Sequence, residues 1–435
     1  MKRSIKHIAM KNILLLSLCL PLLVWAQQTP ADPQSESILI SGITAHIGNG
    51  TIIENAAIGF DKGILTYVGA AESAPANFSK TIAGNGQHAY PGFIGMNTTL
   101  GLVEIDAIRA TDDEDELGEM LPHVRAAIAY NAESQVVESV RPNGVLLAQV
   151  APRGGRISGS SSVMQLDAWN WEDALVKADE GIHLHWPSPF KRGRWWLGED
   201  PSLKRDEDYD SDVEELAEYF ANAKTYRNSH RPKHLPYHAL KGVFDGSQRV
   251  YVHADYSEEI KESIEQLIKW GVQKIAIVGG HEAPKQLVLL KKHQIPVIIP
   301  RPHRLPADED EALKSTFELG ATLVDAGLTV AIEMSGRMER MNTRNLPFYA
   351  GSFAAYGVPY EKAVALLTAN PAKILGIDQE VGTLEVGKKA TLFLSKGDAL
   401  DMRTNILSHA FIDGRELSLE SHQTKLYKRY SKKVN

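Results

Sequence analysis

Pro91-Gly92-Phe93-Ile94-Gly95-Met96-Asn97-Thr98-Thr99-Leu100 is the stretch from which the rest of the chain is read. In an extended strand, side chains alternate between faces, so Asn97 and Thr99 would project together into one cavity. Far downstream, Asn370-Pro371-Ala372-Lys373-Ile374-Leu375-Gly376 is followed by Val381-Gly382-Thr383-Leu384-Glu385-Val386-Gly387-Lys388. Between these marks, short apolar runs alternate with amphipathic ones, the order expected of parallel βα units. The clearest strands fall at 145–150, 250–253, 274–278, 296–299 and 329–333. A helix over 257–270 would carry Ile260, Ile264, Leu267 and Ile268 on one face. Pro284 and Pro359 suit first turns of further helices.

The opening stretch resembles the Pro-Gly-Phe-Ile-Asp-x-His-x-His signature of the amidohydrolase superfamily, with Asn97 and Thr99 at the two histidine positions. The downstream runs resemble the closing signature of its imidazolonepropionase-like and prolidase-like branch, with Thr391 where that branch carries aspartate. The resemblance implies an α/β fold: a (β/α)8 TIM-like barrel over 91–380, beside a small β-sandwich made from both chain ends, 38–90 plus 381–420. It also implies hydrolysis of non-peptide or small peptide-like carbon–nitrogen bonds with one divalent metal, zinc. His253 matches the fifth-strand histidine and His281 the sixth-strand one, while Ser335 stands where the water-activating aspartate belongs. Glu333, two residues earlier, would face the same way and could substitute as the base, an outward salt-bridged glutamate being the other reading.

A catalytic zinc needs about three good protein ligands plus water, and neutral amide or hydroxyl oxygens replace imidazole poorly. With Asn97, Thr99 and Ser335 in place of the expected groups, His253 and His281 alone would hold zinc weakly. Two readings stay open. One is an active hydrolase with unconventional donors; the other is an inactive relative that binds a ligand or pairs with a competent one. The barrel survives either way, because its packing and its loop-face site use separate residues.

Other groups are candidates at the same mouth. Arg153, Gly154, Gly155, Arg156 and Ser160 follow a strand in a glycine-rich loop that could receive an anionic substrate group or could serve only to reverse the chain. His183 and His185 have same-face spacing but read more simply as surface or packing histidines. Glu104 and Asp106 begin an acidic run that reads as a hydrated face, and Lys177 as a solvated helix lysine.

The ends and the composition bound the setting. Residues 1–26 read as a secretory signal: Lys2, Arg3, Lys6 and Lys11 precede an apolar run shorter than the ~20 residues of a membrane span, with cleavage expected near Ala26. The sole cysteine, Cys19, lies inside it, so the mature chain carries no thiol into an oxidising compartment, and the periplasm is the expected location. Losing those four cations and no acid takes the formal charge from −7 to −11, which disfavours nucleic acid as a partner. A small molecule or small peptide is the expected ligand, with a homodimer, or a heterodimer with a competent relative, as the expected assembly. A polar linker at 27–37, a tryptophan- and charge-rich excursion at 186–244 and a basic tail at 421–435 complete the organisation. Within the excursion, Ser211 with Glu214 reads as the capping box of a helix whose apolar face is Val213, Leu216, Ala217 and Phe220.

Overall fold

The computed structural model describes residues 29–200, 202–226, 232–306, 311–336 and 339–433, so the secretory segment read at 1–26 lies outside the described residues. Eight strands make the central sheet: Phe93–Thr98, Val145–Val150, Ile157–Gln165, Leu175–His185, Arg249–Ala254, Ile275–Gly279, Val297–Ile299 and Val330–Ile332. They pair in chain order. Met334 N–H reaches Met96 O at 2.9 Å, and Met96 bridges Glu333, so the eighth strand returns to the first and the barrel is nearly closed.

One strand departs from the parallel pattern. The third runs antiparallel to both the second and the fourth. The reason is the length of the link: six residues, 151–156, separate the second and third strands, whereas a parallel crossover needs about a dozen or more. Gly154 (φ 76°) and Gly155 (φ 62°) turn the chain straight back. A Cβ on Gly155 would meet Gly118 O at 2.6 Å, so this glycine also lets the acidic loop pack closely.

Two apolar layers hold the barrel. Ile94, Leu147, Val163, Ala276, Ile298 and Ala331 form an interior core. Outside, Val252, Ile277 and Ile299 meet helix residues such as Ile260, Ile264 and Leu267. Each such side chain contributes roughly 1.5–3 kcal/mol through removal from water. The helix spans Ser257–Trp270 as expected, although Ile268 at its edge is 39% exposed.

The two chain ends do meet. Strands from 38–91 and from 392–416 form one eight-stranded sheet with its own core of Ile40, Ile58, Phe60, Leu392 and Phe411. Its hairpin turns use Lys62 (φ 49°) with Gly63 (φ 79°), and Asp413 (φ 50°) with Gly414 (φ 74°), the two consecutive left-handed residues such turns require. Thr391 Oγ1 accepts from Asp413 N–H at 3.2 Å, so this hydroxyl steadies the second turn. The chain after residue 30 is tied down: Ala31 N–H donates to Asp167 Oδ2 at 2.9 Å, and Gln34 Oε1 accepts from Gly63 N–H at 2.7 Å.

The excursion builds a short hairpin, Phe190–Arg192 with Leu203–Arg205, and the helix Tyr209–Thr225. That helix starts two residues before the expected cap, so Ser211 lies inside it and bonds back to Asp208 O at 2.8 Å. Trp195 and Trp196 at the hairpin end are 71% and 65% exposed. The basic tail forms the helix His422–Ser431. Among the described residues, no helix is long and apolar enough to cross a membrane.

Candidate functional site at the barrel mouth

The first strand ends at a break in its alternation. Asn97 is fully buried and left-handed (φ 50°), a conformation that asparagine tolerates better than most residues. Each of its polar groups is engaged. Its N–H donates to Gln149 Oε1 at 3.0 Å and its Nδ2 to Glu333 Oε2 at 2.8 Å. Its Oδ1 and main-chain O accept from Arg153 Nη1 at 2.9 Å and Nη2 at 2.7 Å.

From Asn97 a polar column descends into the barrel. Gln149 Nε2 donates to Glu180 Oε1 at 2.6 Å, Ser161 Oγ donates to the same oxygen at 2.6 Å, and Tyr251 hydroxyl donates to Glu180 Oε2 at 2.8 Å. Burial pushes the Glu180 carboxyl above the usual carboxylate range, and these three donors pull it partly back. Tyr251 stacks on His183 at 4.8 Å between centroids, His183 Nδ1 meets His253 Nε2 at 3.0 Å, and His253 stacks on His185 at 4.1 Å. Burial lowers all three imidazoles, His185 to about 4, and the nearby Arg153 charge lowers them further. They are therefore neutral at ordinary pH.

Above the rings lies a cavity of about 290 Å³ lined by His185, His253, Asp255, Gly279, Glu333 and Ser335. Burial raises the Glu333 carboxyl, against hydrogen bonds from Ser335 and Asn97 and the Arg153 charge. On the other side of Arg153, burial likewise raises Glu114, which Arg153 and a Thr99 hydrogen bond draw down.

The structure thus brings together Asn97, Glu333, Ser335, His253 and Arg153, and adds His183 and His185. Those two are not surface histidines; they point into the barrel because the fourth strand runs to residue 185 with its last residues beside Tyr251 and His253. Other candidates go elsewhere. His281 Nε2 pairs with Glu311 Oε2 at 2.9 Å, and Arg304 sits on its Nδ1. Arg156 pairs with Asp212 at 2.7 Å, and Ser160 bonds Val124 O and Asp179. Gly154 and Gly155 serve the turn. Asp106 pairs with Arg340, and Lys177, on a strand rather than a helix, donates to Leu375 O at 2.7 Å.

A profile described as the amidohydrolase family matches residues 250–417. An amidohydrolase structure from Thermotoga maritima MSB8 superposes with a TM-score of 0.75 at 22% identity, over 88% of this chain and 99% of that one. Residues 250–417 thus match the amidohydrolase family, and the fold of the chain is that of the solved amidohydrolase. It is also 22% identical over 374 residues to a 5-methylthioadenosine/S-adenosylhomocysteine deaminase from Thermoanaerobacter pseudethanolicus, covering 79% of this chain and 81% of that one. An amidohydrolase from Hapsidospora irregularis is 25% identical over 180 residues; these cover 39% of this chain, which spans only 17% of that longer protein.

Amidohydrolases of this fold typically work with a divalent metal, and the residues at this mouth do not fit one. Asn97 and Thr99 offer neutral oxygens, and Asn97 Oδ1 already accepts from a guanidinium. A cation bonded at a ligand position repels a second cation. Among the described residues, no group of three or more His, Cys, Asp or Glu side chains is placed to hold an ion.

Sequence reading missed Gln149, Ser161, Glu180, Tyr251 and Asp255. Gln149 left a trace, as the one polar side chain in Val-Leu-Leu-Ala-Gln-Val. Tyr251 did too, two residues before His253 on the same face. Glu180 left none, because the left-handed Asp179 (φ 45°) breaks the alternation beside it.

Proposed function

We propose that this amidohydrolase-fold chain is an exported binding subunit that holds a small polar molecule or small peptide at the barrel mouth and does not activate water on a metal. The observation carrying this reading is the saturation of Asn97. At the position where the family places a ligand histidine, every polar group is committed to Gln149, Glu333 or Arg153. The cavity beside it keeps donors and acceptors suited to a polar ligand: two neutral imidazoles, three carboxyl groups and a hydroxyl. Cleavage near Ala26, a periplasmic location and pairing with a second copy or a competent relative belong to the same proposal.

Metal content measured together with turnover of N-acyl amino acids, cyclic amides and dipeptides tests it. The expected result is no stoichiometric metal and no turnover. A bound ion with turnover abolished by His253→Ala would overturn the reading.

A second reading, hydrolysis of a carbon–nitrogen bond without the first-strand histidines, draws on Glu333. Its raised carboxyl borders the cavity beside Ser335 and has the character of a general base. Metal-free turnover lost in Glu333→Gln would favour it.

A further inference from the structure

We propose that Arg153 is a built-in cation, taking over at the barrel mouth the electrostatic and tethering work of a divalent ion. The inference rests on the metal-free reading of the site and says what made the loss of metal tolerable.

An ion in such a barrel neutralises inward carboxylates and clamps strand ends to one another. Arg153 does both. Its guanidinium feels the charges of Glu333 and Glu114, which hydrogen-bond Asn97 and Thr99 at the first strand's end. Its Nη1 and Nη2 bind Asn97 Oδ1 and O, where the first strand leaves the barrel, and Nη1 also reaches Ala151 O and Pro152 O at 3.3 Å, where the second strand leaves it. The planar fork suits these several acceptors in a way that a lysine ammonium does not.

The loop fixes the guanidinium in this place. Arg153 N–H donates to Glu114 O at 2.6 Å, and Asp115 bridges Arg153, so the main chain is held before the side chain turns inward. Gly154 follows in the left-handed region, where a Cβ would meet Asp115 Cβ at 3.0 Å. The short link that reverses the third strand is thus the element that delivers the cation. Around Arg153 stand Glu333, Glu114, Asn97 and the neutral imidazoles of His185 and His253. Without the guanidinium the carboxyl groups lose a nearby positive charge, and imidazoles at positions 97 and 99 would supply the donors that the native residues lack.

The test uses the whole mature chain and zinc alone as probe, read by metal analysis after dialysis and by the unfolding temperature as zinc is added. Wild type and Arg153→Lys are expected to retain no zinc and show no shift. Arg153→Ala alone is also expected to retain no zinc, because the native donors form no group placed to hold an ion, but to unfold at a lower temperature than wild type. Histidines restored by Asn97→His and Thr99→His should fail to hold zinc while Arg153 remains, and should hold it once Arg153→Ala is added.

Zinc held by Asn97→His/Thr99→His with Arg153 intact would overturn the proposal, and that arm stands even if the alanine variant does not fold. A folded Asn97→His/Thr99→His/Arg153→Ala variant without zinc would overturn it too, while leaving the metal-free reading untouched. Zinc in the wild type would overturn both.

Discussion

Two histidine pairs, each with one buried and one half-buried ring, share the same 3.0 Å nitrogen contact, one at the barrel mouth between His183 and His253, the other where the barrel meets the end sheet between His46 and His88. Their surroundings differ. The junction pair has acids beside it: His46 Nδ1 meets Glu361 Oε1 at 2.7 Å, and Tyr360, whose hydroxyl lies 3.0 Å from that of Tyr90, donates to Asp398. The mouth pair feels the Arg153 charge and has a tyrosine face stacked on His183. Burial lowers His88 at the junction, against the raising charges of Asp398 and Glu361, whereas at the mouth the guanidinium adds to the effect of burial. The difference separates a polar clasp between two parts of the molecule from a neutral lining for a cavity.

The column beneath the mouth is where the contrast should be easiest to break. Glu180→Ala removes the acceptor of three buried donors, Gln149, Ser161 and Tyr251. Leaving buried donors unmatched costs about 1–3 kcal/mol each, so a loss of at least ~3 kcal/mol in urea unfolding is expected. Glu180→Gln, which keeps one acceptor oxygen, should lose less. A loss below about 1 kcal/mol for the alanine variant would mean that the column does not hold the barrel.

Acid titration sharpens the same contrast. His185 sits near pKa 4 in the folded chain against an ordinary 6.5, so between those pH values the unfolded chain binds a proton that the folded one does not. Stability therefore falls as pH drops from about 6.5 to about 4 and levels off below, with a slope approaching 1.4 kcal/mol per pH unit for this group. Glu180 and Glu333, raised in the folded chain, act with the opposite sign, holding protons that the unfolded chain has released. The readout is thus the difference between wild type and His185→Gln, in which those carboxyl contributions largely cancel. Equal slopes in the two proteins would place His185 in water rather than in the lining.

How much of this was legible in the sequence follows from what each residue needs. The strand ends at Asn97 and His253 and the eighth-strand pair Glu333 and Ser335 were readable because family signatures fix them along the chain. The end sheet was readable from glycine turns such as Asp413-Gly414. The third strand, Ile-Ser-Gly-Ser-Ser-Ser-Val-Met-Gln, was not, since serine and glycine carry little strand preference and all nine residues are buried for reasons set by their neighbours. Its reversed direction follows from the short link after Val150, a length visible only once the strand itself is recognised. Arg153 was legible as a candidate but with the wrong partner: the loop suggested an external anion, and the guanidinium instead turned inward to Asn97.

The smallest expected effect lies at the junction. Glu361→Gln keeps an oxygen for His46 Nδ1–H while removing the charge, and the Glu361 side chain is 20% exposed, so water can compensate part of the change. If the clasp works as a hydrogen bond, the cost in urea unfolding is below about 1 kcal/mol at neutral pH, whereas Glu361→Ala costs about 1–2 kcal/mol by leaving the buried imidazole unmatched. If it works as an ion pair, the glutamine variant should cost as much as the alanine one. That second outcome would make the junction a charged pair in fact as well as in geometry, and would widen its difference from the neutral rings at the mouth.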